Sequence, residues 1–201
     1  MRDFKKNLDI SQYLLNIFYC YANFSDYHQF MLDNKIGDTC IMIIEFEQQR
    51  YKARVSEYKN VVKKLHDVQN NPSEESDLSD IQNMVKKEEK KLALTVMKQE
   101  RVMFVAIHIL LNLAEDLQIE RKMKGREIVK LLMNLMERNN PDLLYICISF
   151  LKKLSVFGDN KNMMLEHDIV KKINRFIPCQ NPLLTQISLN LLFNLSFDPE
   201  V

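Results

Sequence analysis

The sequence predicts an all-α chain built as a superhelical stack of repeated short helices. Two observations predict it: a scarcity of glycine and proline, and an internal repeat at a constant offset of 41. The 201 residues include only 3 Gly and 5 Pro, about 4% against the ~12% of ordinary proteins. A β-sandwich, a barrel or a doubly wound nucleotide-binding fold needs many more tight turns and positive-φ positions. Gly37, Gly125 and Gly158 lie too far apart for a glycine-rich phosphate loop, which excludes most nucleotide-dependent enzymes.

The repeat is seen column by column. Leu113, Leu154 and Leu195 are separated by 41 and 41, as are Pro141 and Pro182, and Ile128-Val129-Lys130 and Ile169-Val170-Lys171. Apolar columns Val102/Leu143/Leu184, Val105/Ile146/Ile187, Ile107/Ile148/Leu189 and Leu110/Leu151/Leu192 keep the offset, and small residues Ala114, Ser155 and Ser196 follow the leucine column. Over 141–155 the apolar residues cover more than one face, as in a helix buried between neighbours. Ile169, Val170, Ile173, Phe176 and Ile177 predict a second, one-sided helix, and 160–167 a shorter first one. Pro141 and Pro182 suit the first turn of the long helix, where a missing N–H is harmless. Short, medium and long helices recurring at this offset are the armadillo pattern, so the predicted fold class is a right-handed α-solenoid of armadillo repeats spanning 1–201 as one domain.

Aligning Ile36 with Ile128 makes residues 8–22 another long third helix. The chain thus begins and ends on such helices, neither of which reads as a polar cap, and it is expected to be a segment of a longer protein. The spacing from Tyr21 to Leu113 is 92, or 41 plus 51. The surplus falls in 45–101, where 12 Lys/Arg and 11 Asp/Glu leave too much charge to bury on several sides. There Tyr51, Val55, Tyr58, Val62 and Leu65 step by 4, 3, 4 and 3, a narrow heptad seam. A turn signal runs through Asn70-Asn71-Pro72-Ser73-Glu74-Glu75-Ser76-Asp77. Leu78, Ile81, Val85 and Leu92 then resume a weaker seam, broken by Glu88, with Ser79 and Gln82 as a capping box. The expectation is a protruding antiparallel helical hairpin inserted over 46–98, projecting about 35–40 Å.

Site chemistry is sparse. His28, His66, His108 and His167 form no zinc spacing. Adjacent Glu115 and Asp116 point apart on a helix, and no nucleophile pairs with a base. No catalysis and no cofactor are expected. Cys20, Cys40, Cys147 and Cys179 lack C-x-x-C spacing; the first three sit among apolar neighbours and read as buried reduced thiols of an intracellular protein. The most apolar stretch, 102–114, falls short of the about 20 residues of a membrane span. A net charge of +1 gives no global field for nucleic acid or membrane. Locally, Arg121, Lys122, Lys124 and Arg126 form a basic patch between two helices, and Lys152-Lys153 sits on a third helix. An acidic protein partner suits both, because stacking aromatics for single-stranded nucleic acid are missing there.

Four stretches carry a resemblance: Leu110-Leu111-Asn112-Leu113-Ala114-Glu115-Asp116, Ser149-Phe150-Leu151-Lys152-Lys153-Leu154-Ser155, Asn160-Lys161-Asn162-Met163 and Asn194-Leu195-Ser196-Phe197-Asp198. They resemble the kinesin-associated protein family, the armadillo non-motor subunits of heterotrimeric kinesin-II, whose charged insertion is matched too. The resemblance implies a non-catalytic adaptor joining kinesin-II motor stalks and tails to cargo adaptor proteins, cytoplasmic, microtubule-associated and acting also in cilia. The wider armadillo family implies a groove along the third helices in which an Asn column grips a partner's backbone. Here that column reads Asn112, Lys153 and Asn194, with His108, Ser149 and Asn190 four residues before, where nuclear-import carriers have Trp. Lys153 would repel a basic import signal, which weakens that alternative. A generic peptide-binding or GTPase-regulating scaffold uses the same surface, and capping within the stack is the competing role for the Asn column.

Overall fold

A computed structural model describes residues 7–70, 75–114 and 127–197, and the elements formed by them are helical, with no strand among the described residues. In order they are α1 (Leu8–Ala22), a 3-10 turn (Ser25–Tyr27), α2 (His28–Asp33), α3 (Ile36–Asn70), α4 (Glu75–Leu113), α5 (Ile128–Leu135), α6 (Pro141–Leu154), α7 (Gly158–Glu166), α8 (Ile169–Asn174) and α9 (Pro182–Leu195).

The helices begin and end by recurring local devices. Asn7, Asn140 and Asn181 cap α1, α6 and α9, each side-chain oxygen accepting two backbone N–H groups of the first turn. Such a cap satisfies donors that the helix itself leaves open. Pro141 and Pro182 follow their caps directly. Lys35, Glu127 and Asp168, with φ of 55°, 51° and 59°, hold the left-handed conformation immediately before α3, α5 and α8. At the other end the N–H groups of Ala114, Ser155 and Ser196 donate to Leu110, Leu151 and Leu192, so the same closing bond recurs at the offset of the repeat.

The long helices stack side by side. α4 packs on α1 and α6, and α6 packs on α9. Lys98 pairs with Asp9 near the start of α1 while Asn112 bonds Asn23 at its end, so α1 and the last part of α4 run parallel. Asn140 at the head of α6 bonds Glu100, and Asn194 at the foot of α9 reaches Lys152 O and Ser155 Oγ at the foot of α6. The helices 100–113, 141–154 and 182–195 are therefore parallel. Flanked on both sides, α6 buries Leu143, Leu144, Ile146, Cys147, Ile148, Phe150, Leu151 and Leu154. Each fully buried large apolar side chain of this kind contributes about 1.5–3 kcal/mol.

α3 and α4 pack against one another and run antiparallel: Gly37 lies beside Leu110 and Leu113, and Gln99 bonds Glu47 O. Tyr51, Val55, Tyr58 and Leu65 are half-buried in the seam as expected, but Val61 takes the place predicted for Val62, which is exposed. The true steps of 4, 3, 3 and 4 span the same 14 residues as the expected 4, 3, 4 and 3, so the mean period is unchanged and only the order of the steps differs. On α4 the seam is Ile81, Val85, Glu88 and Leu92, with Glu88 kept at the interface by its ion pair to Lys91. Of the turn expected at 70–77, 71–74 lie outside the described residues, and Glu75 to Asp77 already belong to α4. Ser79 and Gln82 belong to it too and therefore cap no helix start; the Leu78 side chain lies outside the described ones.

Three further expectations are corrected. α8 stops at Asn174, because Phe176 and Ile177 lie in a turn that ends in a cis Ile177–Pro178 bond; Val170 is exposed. Cys20 is exposed on α1, whereas Cys40 and Cys147 are buried, and burial pushes both thiols up, Cys40 to about 12. Leu189 breaks its buried column and is exposed, since no described element packs on that side of α9.

The capping asparagines and left-handed residues make a direct prediction. Asn140→Ala and Asn181→Ala should each cost about 1 kcal/mol. Asp168→Val should cost about 1–2 kcal/mol while Asp168→Gly is tolerated. Denaturant unfolding followed by circular dichroism measures all four; equal stability of the valine and glycine variants would contradict the assigned backbone.

Candidate partner-binding surface and hairpin root

The six groove candidates lie on three adjacent parallel helices, and all are half-buried: His108 and Asn112 on α4, Ser149 and Lys153 on α6, Asn190 and Asn194 on α9. The parallel register forms them into a ladder. Asn112 Nδ2 donates to Asn23 Oδ1 at 3.1 Å, and Asn194 Nδ2 donates to Lys152 O at 3.2 Å and Ser155 Oγ at 3.1 Å. Both outer amides therefore already tie neighbouring helices together. An amide still offers a second N–H and carbonyl lone pairs, so the column can hold the stack and line a surface at once. His108 sits between Tyr19 and Phe104, ring centroids 5.5 and 4.7 Å away, and burial lowers its pKa. The basic patch Arg121, Lys122, Lys124 and Arg126 lies outside the described residues, as do Glu115 and Asp116.

Sequence reasoning missed two arrangements. In the first, His28 and Asn160 each donate to a carbonyl six residues earlier, Ala22 O at 2.9 Å and Leu154 O at 3.0 Å. A buried polar side chain on the following short helix thus closes the foot of α1 and of α6. The signal was a polar residue at one distance after each long helix, legible only once those helix ends are known.

The second is a buried polar cluster where the α3–α4 pair joins the stack. Glu47, Gln99, Glu100 and Arg138 are all buried. The Arg138 guanidinium lies over the Tyr51 ring at 3.3 Å, a desolvated cation–π contact. Burial pushes its pKa down, opposed by Tyr51, Glu100 and Glu47. Arg50 pairs with Glu47 at 3.4 Å, Gln99 Nε2 donates to Glu47 O, and Asn140 Nδ2 donates to Glu100 at 3.1 Å. Gln99 and Glu100 occupy the columns that hold Asn140-Pro141 and Asn181-Pro182 elsewhere. With α4 running through this point uninterrupted, the cap is not needed. The cluster instead bonds three helices.

An apolar groove of about 330 Å³ opens between α1 and α3, lined by Leu14, Phe18, Met42, Ile43 and Phe46. No group of three or more His, Cys, Asp or Glu among the described residues could hold a metal ion, and no described helix is long and apolar enough to cross a membrane.

These features define an all-helical protein of parallel stacked helices whose polar side chains tie neighbour to neighbour. A family model described as Kinesin-associated protein (KAP) matches residues 1–201, and the chain belongs to that family of kinesin-associated proteins. No solved structure matches the chain.

The position of His108 predicts a pH effect. Its folded pKa lies below the ordinary value, so the unfolded chain takes up that proton first. Its share of stability is complete above about pH 6.5 and is lost as pH falls through that value toward the folded pKa. Thermal midpoints measured from about pH 7 down to 5 should therefore fall less steeply in His108→Phe than in wild type. Parallel slopes would contradict the lowered pKa of the half-buried ring.

Proposed function

We propose that the chain is a right-handed α-solenoid of armadillo repeats, one domain over 1–201 with the hairpin 46–98 inserted in it. It would serve as a non-catalytic adaptor joining kinesin-II motor subunits to cargo adaptor proteins in microtubule-based transport, in the cytoplasm and in cilia. Membership of the kinesin-associated family carries this reading. Three parallel helices that offer a ladder of amide and ammonium groups support it, because a partner segment laid across them meets equivalent positions roughly 8–10 Å apart. In this role His108, Asn112, Ser149, Lys153, Asn190 and Asn194 face the partner, with Arg121, Lys122, Lys124 and Arg126 as a secondary basic patch.

Lys153 sets the polarity of the choice. Standing between two amides that bond backbone without reading sequence, it favours an acidic or phosphorylated segment and disfavours a basic one. The same charge weighs against a nuclear-import role. Lys153→Glu should therefore weaken binding of a kinesin-II tail segment, with the wild-type affinity falling as salt rises and the helical spectrum unchanged. Titration of both proteins at low and moderate salt tests this; equal affinity at both salts removes the ladder as the recognition surface.

A further inference from the structure

The sharpest segregation of charge in the chain lies on α3 and α4. Residues 50–66 and 86–98 carry eleven Lys or Arg against three Asp or Glu, a net of +8 within a chain of +1. Internal ion pairs engage Arg50, Arg54, Lys91 and Lys98. On α4, Lys87, Lys90, Leu94, Met97 and Arg101 recur at steps of 3, 4, 3 and 4, and all are exposed, with Met84 one step of 3 further along. This row is opposite the seam residues Val85, Leu92 and Val96, so it faces away from α3. The corresponding part of α3 exposes only Val62 among its described large apolar residues. The pair is therefore two-sided: one helix shows solvated charge, the other an apolar pair framed by cations.

We propose that this outer face of α4 docks an acidic amphipathic helix of a partner protein, which packs on α4 from the side away from α3. The spacing of the row matches the anchors by which a helix is read, and cations beside Leu94 and Met97 complement carboxylates flanking an apolar stripe. From Lys87 to Arg101 the row extends about 21 Å, or roughly four turns. It ends in a notch of about 290 Å³ between α1, α4 and α6, lined by Gln12, Arg101, Phe104, Asn140 and Asp142, which gives a docked helix a stop. A membrane surface fits less well, because interfacial helices bury a broad apolar face rich in aromatics and this row has none. Nucleic acid would lack stacking partners here. The proposal is independent of the ladder reading, since it rests on a different segment and other residues.

The test uses the full chain and a labelled peptide of three heptads, with Leu at the two apolar positions and Glu flanking them, followed by fluorescence anisotropy. Saturable binding is expected. Lys87→Glu/Lys90→Glu and Leu94→Gln/Met97→Gln should each weaken it about tenfold, whereas Lys171→Glu on α8 should leave it within about twofold, as expected for a charge far from the interface. A scrambled peptide of the same composition, and one with Lys in place of Glu, should bind at least about ten times more weakly if periodicity and charge are both read. Absence of binding, equal binding of the scrambled peptide, or unchanged affinity in either double variant overturns the proposal. Binding to phosphatidylserine vesicles in place of the peptide does so as well.

Discussion

The continuity of α4 is the constraint on which the rest of the structure depends. Its 39 residues form one helix, which pairs with α3 from the seam at Ile81 to Leu113 and whose final stretch, 100–113, also lies parallel to α1 and α6. A helix transmits orientation along its length, so the direction of the α3–α4 pair is set by the packing of residues 100–113 in the stack. The polar cluster sits at the changeover. Gln99 and Glu100 would break the helix if they were the Asn-Pro found in the same columns of α6 and α9. As Gln-Glu they leave the backbone helical and turn their side chains to α3 and α6. Arg138, from the turn after α5, adds a third anchor through Tyr51. Unsatisfied buried polar atoms cost about 1–3 kcal/mol each, so Glu47 Oε2 and Arg138 Nη1 and Nη2, which lack hydrogen-bond partners among the described residues, are retained at a cost that the surrounding packing offsets.

The stack depends on α6 in a different way. Helices that bury two faces cannot be amphipathic in the ordinary sense, and α6 is apolar at eight buried positions while keeping Ser149, Lys152 and Lys153 on its half-buried edge. That edge aligns with the edges of α4 and α9 because each long helix stops by the same device and α6 and α9 also start by one. The surface ladder is thus a by-product of register: fix the helix ends and the polar columns coincide. In the proposed adaptor role such an aligned edge would meet a partner segment as one run of equivalent positions.

Much of this is legible in the sequence because periodicity reports burial. The repeated columns locate α6, α9 and the end of α4, and the steps of 3 and 4 locate the α3–α4 seam, with Val61 in place of Val62 as the error of a rigid heptad. Leu189 and Cys20 depart from expectation for one reason. A pattern of apolar neighbours predicts burial only where another element covers that face, and such cover is a tertiary property. The predicted α8 is too long because Phe176 and Ile177 continue the apolar pattern into a turn. The root cluster is invisible in the sequence because Glu47, Gln99 and Arg138 are remote from one another and look like ordinary surface residues of a charged segment. The capping role of the Asn column, one of two competing roles expected from the sequence, takes a definite form only with the distances to Asn23, Lys152 and Ser155.

Stack and helical pair are then one mechanical unit, with α4 common to them. Hydrogen exchange along α4 tests this most directly. Amides of 96–104 should be protected without interruption, as strongly as the neighbouring 105–113 and more than 80–90. Fast exchange confined to 97–101 would reveal a hinge at Gln99-Glu100 and contradict a single rigid helix.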